Sequence, residues 1–166
     1  MTAARLIGVG NDFRRDDGVG LRAADLAEER LGATVEVYAL DGEPTRVIDA
    51  WDGAELAIVV DGVRSGAEPG TIHRLVLEPG DPDRPDPEAG RQHDIPEDPR
   101  ARSSHAAGPG EAVALARALG RMPRKLLLYG VEGGDFGEGP GLSPAVERAL
   151  DDVMASITRD LETALP

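Results

Sequence analysis

The chain has 166 residues, 40% of them apolar, with 18 basic against 31 acidic side chains, a formal charge of −13 and no cysteine. That length and apolar fraction suit one domain, residues 1–166, with an ordinary core, and the missing cysteines exclude disulfides, thiolate metal sites and cysteine nucleophiles. The acidity argues against nucleic acid or an anionic membrane as partner, and with no apolar run approaching roughly 18 residues and no basic-then-apolar leader a cytoplasmic protein is expected.

An apolar run at Arg5 to Gly8 predicts the first strand. It opens into Gly8-Val9-Gly10-Asn11 and the acidic pair Asp16 and Asp17, then into a helical pattern with Val19, Ala23, Leu26 and Ala27 inward and Arg22, Asp25 and Glu29 outward. Thr34 to Leu40 reads as a second strand, Thr45 to Trp51 as a short helix and Leu56 to Val60 as a third strand. The fourth, Thr71 to Leu77, follows too closely for a crossover helix and is predicted antiparallel. Residues 78 to 100 hold six prolines and eight acidic residues, the composition of a solvated loop reaching to about residue 104. A helix beginning near Pro109 has Ala112, Leu115, Ala116 and Leu119 inward and ends at Gly120; the fifth strand is Lys125 to Val131. The last helix opens with Ser143 as N-cap and Pro144 at its first position, then sets Val146, Leu150, Val153, Ile157 and Leu161 on one face. This order predicts an α/β fold, a three-layer α/β/α sandwich around a five-stranded, mostly parallel sheet with one antiparallel strand.

In such a fold the first turn opens at the carboxyl edge of the sheet, where ligands bind. A dinucleotide site is excluded, because the third glycine of that fingerprint would fall at Phe13 and two acidic residues would face a pyrophosphate; no phosphate-binding Gly-Lys-Ser/Thr turn occurs either. Asp16 suits a cap on the first helix, leaving Asp17 to face the crevice. Asp61 ends the third strand, and reads either as a site residue at the same edge or as a turn former before Gly62. A helix feeding a parallel fifth strand must start at that edge too, which brings His105 there. Two carboxylates and an imidazole form a mixed oxygen and nitrogen set suited to nickel, zinc or iron; a helix-capping His and two unrelated loop aspartates are the alternative. His73 and His93 read as surface or partner contacts, and Ser104 beside His105 is not a serine-hydrolase pair, since catalytic partners face one another across a cleft. The glycine-rich stretch Gly130 to Pro144 leaves the fifth strand at this edge, either as a groove for a peptide backbone or as a plain turn.

Four ordered segments resemble the hydrogenase maturation endopeptidases. They are Gly8-Val9-Gly10-Asn11 through Asp17-Gly18-Val19-Gly20, Val59-Val60-Asp61, Ser104-His105, and Tyr129-Gly130-Val131 with Gly141-Leu142-Ser143-Pro144-Ala145-Val146. The resemblance implies an enzyme that trims the C-terminal extension of a nickel-iron hydrogenase large-subunit precursor, sensing nickel that the precursor brings. It implies Asp17, Asp61 and His105 as metal ligands, with Asp17 and Asp61 also catalytic, and a monomer whose partner is the precursor. Asn11, Asp41 and Gly42 are expected at the substrate. Three features depart from the family pattern: Asp17 stands where some relatives have Glu, Asp41-Gly42-Glu43-Pro44-Thr45 replaces a common Asp-Gly-Gly-Thr, and the long acidic loop spans residues 78 to 100. A non-catalytic nickel carrier and a peptidase with a non-hydrogenase target are the rival readings.

Overall fold

The computed structural model describes residues 4–78 and 109–164. Strand β1, Ala4–Val9, leads through a 3-10 turn, Arg15–Gly18, into helix α1, Val19–Leu31; β2, Glu36–Leu40, α2, Pro44–Trp51, and β3, Leu56–Val63, follow. After β4, Ile72–Leu77, come α3, Pro109–Leu119, β5, Lys125–Glu132, and α4, Pro144–Ala164.

The strands lie in the order β2-β1-β3-β5-β4. Every pairing is parallel except that of β4 with β5, at the sheet edge, as the short β3 to β4 connection requires. β1 is flanked by β2 on one side and β3 on the other, so the direction of winding reverses there and a crevice opens at the carboxyl ends of β1 and β3.

Alternate residues of the central strands feed two cores, since successive side chains point to opposite faces. Leu6, Ile58, Val60, Leu127 and Tyr129 pack beneath α1 and α4, whereas Ile7, Val9, Ala57, Val59 and Leu126 pack beneath α2 and α3. The predicted inward faces of α1 and α4 are buried as read. In α3 the stripe is turned by one residue: Ala112, Val113 and Ala116 are buried and Leu119 is exposed, because these three positions fall at the i, i+1 and i+4 places that share one side of the helix.

Two glycines set how closely α1 can approach the sheet. A Cβ on Gly20 would lie 2.3 Å from the carbonyl oxygens of both Val9 and Val60, and one on Gly8 would lie 2.1 Å from the Gly20 oxygen. The first turn of α1 therefore rests directly on the backbones of β1 and β3, which carries Asp17 to the head of the crevice.

Candidate active site

The loop leaving β1 is fixed at its base by hydrogen bonds from Gly10 N–H to the Leu40 carbonyl and from Asn11 N–H to the Asp17 carbonyl. Its tip is paired with the glycine-rich segment that follows β5. Gly139 N–H donates to the Phe13 carbonyl at 2.8 Å, and Arg15 N–H donates to the Gly139 carbonyl at 3.0 Å. Arg15 adopts φ 46°, a left-handed conformation uncommon for a side-chain-bearing residue, and its guanidinium lies 3.5 Å from the Asp135 carboxylate. Strain of this kind persists where the surroundings over-determine the backbone.

Asp16 supplies much of that determination. Read as a cap on its own helix, it makes no such bond; its fully buried carboxylate reaches across to the far loop instead. Oδ2 accepts from the amides of Gly134 and Asp135 at 2.9 Å each and from the Ser143 hydroxyl at 2.8 Å, while Oδ1 accepts from the Ser143 amide at 2.7 Å. Burial pushes this carboxyl up, but the donors from Ser143, Gly134 and Asp135 outweigh it and hold it below the ordinary value. The predicted N-cap Ser143 thus meets an acidic side chain at the start of α4, where a negative charge also complements the helix dipole. The sequence offered Asp16 and Ser143 separately; their pairing spans the whole chain and has no local signature.

Asp17 and Asp61 come together at the head of the crevice. Asp17 is 1% exposed, in the 3-10 turn, and Asp61 is 6% exposed, in β3. β3 runs on to Val63, so Asp61 is paired with Gly130 of β5 rather than forming a turn with Gly62. The adjoining Gly62 lies against the turn: a Cβ there would sit 3.6 Å from the Asp17 Cα. Burial, and then the charge of Asp17 beside it, push the Asp61 carboxyl up to about 8.

Of the other expected site residues, His105 lies outside the described residues, as do His93 and all but Glu78 of the acidic loop. Asn11 accepts from the Phe13 amide at 2.9 Å through Oδ1 and so orders the loop tip. The Asp41 carboxylate is exposed and engaged by the Glu43 amide and the Arg46 guanidinium, which hold it below its ordinary value. Gly42 is buried with φ 93° and makes the bend from β2 into α2. Among the described residues no three His, Asp or Glu side chains converge on a common point.

A further buried carboxylate was not singled out by the pattern. Glu132, 1% exposed at the end of β5, accepts from Ser65 N–H and Oγ and from Gly66 N–H, and lies 3.2 Å from His73 Nε2. It ties the β3 to β4 connection to the same sheet edge, and gives His73 an internal partner. An acidic residue closing an apolar strand run, the signal that marked Asp61, marks Glu132 as well.

No family model matches the chain. It is similar to the hydrogenase expression/formation protein HupD of Thiocapsa roseopersicina, with 30% identity over 159 residues, 88% of this chain and 65% of that protein. The chain therefore spans just under two thirds of that relative's length. It is also 27% identical to the hydrogenase 2 maturation protease of Escherichia coli (strain K12), covering 97% of this chain and 94% of that protein. The [NiFe] hydrogenase maturation protease HybD from Thermococcus kodakarensis shares the fold, with a TM-score of 0.71 at 20% identity over 94% of this chain and 97% of that one.

Proposed function

We propose that the chain is a hydrogenase maturation protease, an endopeptidase that removes the C-terminal extension of a nickel-iron hydrogenase large-subunit precursor after nickel insertion. The observation that carries this reading is the buried pair of Asp17 and Asp61 at the head of the crevice, in a chain similar along most of its length to a maturation protease.

Nickel enters as part of the substrate, held in the precursor. Burial, and then the neighbouring Asp17, raise the Asp61 carboxyl, and a cation set against the two carboxylates would offset both costs. Asp17 and Asp61 supply the oxygen ligands of this proposal and His105 the nitrogen ligand, a donor set suited to nickel. A cation so placed polarises a nearby peptide carbonyl. The work of the chain's own residues is to hold the scissile segment at a water-poor edge and to handle the proton: one carboxylate takes it from the attacking water, and a protonated carboxyl returns it to the leaving amine. Asn11 and the turn at Asp41 and Gly42 flank the entry. The proposed partner is the precursor, with neither nucleic acid nor membrane involved, and the proposed setting is the cytoplasm with the enzyme as a monomer; among the described residues no helix is long and apolar enough to cross a membrane.

The test offers the purified protein a cognate precursor in nickel-loaded and nickel-free forms and follows release of the C-terminal peptide by mass spectrometry. Cleavage of the loaded form alone is expected. Equal cleavage of both forms removes nickel recognition, and tight nickel binding by the isolated protein without cleavage returns the carrier reading.

A further inference from the structure

We infer that Phe13 is an anchor for the protein substrate, seating in an apolar pocket on the folded precursor beside the bond to be cut; this rests on the maturation-protease reading above. Phe13 is one of only two phenylalanines in the chain. The other, Phe136, is used by the fold, packing against Gly133 and lying 4.4 Å beneath the Arg64 guanidinium. Phe13 is 72% exposed, the most exposed large apolar side chain among the described residues, ahead of Leu119 at 55% and Val76 at 37%.

A single exposed apolar side chain is ordinarily unremarkable. What sets this one apart is the backbone beneath it. The Phe13 amide donates to Asn11 Oδ1 at 2.9 Å, its carbonyl accepts from Gly139 N–H at 2.8 Å, and the amides of the next two residues, Arg14 and Arg15, donate to the Asn11 and Gly139 carbonyls. Arg14 adds a bond from its guanidinium to the Phe136 carbonyl at 3.4 Å. The fold fixes the loop firmly and leaves the ring in water. Ordering a loop tip around an unburied aromatic brings the isolated molecule no apolar burial, whereas a rigid aromatic presented to a partner loses little conformational freedom on docking.

Position supplies the occupant. Phe13 stands four residues before Asp17 in a loop closed by the Asn11 to Asp17 hydrogen bond, and four residues of chain span at most about 14 Å. A standard protein interface covers about 800 Å² on each partner, a patch of roughly 16 Å radius. A folded substrate whose scissile segment lies at the Asp17 and Asp61 pair therefore covers Phe13 as well. In this proposal the ring meets the body of the precursor, while the acidic pair receives the segment that is cut.

The experiment compares wild type with Phe13→Ala and Phe13→Leu in cleavage of the full nickel-loaded precursor, with precursor binding measured separately by surface plasmon resonance. Because the side chain is exposed, Phe13→Ala is expected to melt with the wild type. Its KM should rise by about ten-fold or more with kcat within two-fold, and Phe13→Leu should recover most of the loss. Wild-type cleavage with an unchanged KM in Phe13→Ala overturns the anchor and leaves the maturation reading standing. Wild-type binding without cleavage, weakened by Phe13→Ala, supports the anchor and overturns the peptidase. A wild-type chain that neither binds nor cuts the precursor overturns both.

Discussion

Replacing Asp16 with alanine removes a carboxylate that four donors converge upon, and leaves the amides of Gly134, Asp135 and Ser143 and the Ser143 hydroxyl without it. Hydrogen bonds to a charged group contribute about 1.5–3 kcal/mol each, but these four share one acceptor and do not add. Leaving these donors without an acceptor costs about 1–3 kcal/mol, and at this chain length that lowers the melting midpoint by roughly 2–12 °C. The assay is chemical denaturation with native-state hydrogen exchange, in which the amides of Gly134, Asp135 and Ser143 should lose protection first. The linkage has a definite sign. Asp16 is held below the ordinary 3.8, so between the two values the unfolded chain binds the extra proton; the stabilisation is complete above 3.8 and is lost as pH falls through the folded-state value. Asp16→Asn lacks that dependence, so its deficit against wild type should narrow only below about pH 4. A loss under about 1 kcal/mol with unchanged exchange at those three amides refutes the account, because it would mean that the glycine-rich loop is held by other contacts.

Two further substitutions test the geometry around the crevice. Gly20→Ala drives a methyl to within 2.3 Å of two strand carbonyls and should destabilise by about 1–3 kcal/mol or more, whereas Gly110→Ala, in α3 with nothing within 4 Å of the new methyl, should stabilise by about 0.5–1 kcal/mol; paired melting curves check both. Asp61→Asn should stabilise the metal-free protein at neutral pH while abolishing cleavage. The unfolded Asp61 loses its proton near 3.8 and the folded one only near 8, so wild type loses ground to Asp61→Asn as pH rises between them, on the order of a few kcal/mol; a gap that does not grow over that range in urea titrations contradicts the buried pair.

Much of the architecture was written locally. Alternating apolar runs and i, i+3, i+4 stripes fix each element from its own residues, and the brief β3 to β4 link forces an antiparallel edge strand by length alone. The placement of Asp17 and Asp61 at one edge was likewise legible, because strand direction and the carboxyl-edge rule decide it before any side chain is placed. The end of β3 was not, since pairing with β5, a partner far along the chain, extends it through Asp61 and Gly62 to Val63.

What only the tertiary structure decided is what each carboxylate bonds to. Asp16 and Asp17 are adjacent, identical and both buried, and the sequence pattern suited Asp16 to a cap on its own helix, a bond that it does not make. Asp16 meets donors from the segment 134–143 and becomes a brace; Asp17 meets another carboxylate from β3 and becomes half of a charged pair. The sequence by itself determined that two acidic side chains would stand at the mouth of the sheet. The energetic roles came from groups more than forty residues away along the chain, because a carboxylate's charge and bonding are set by what burial brings against it.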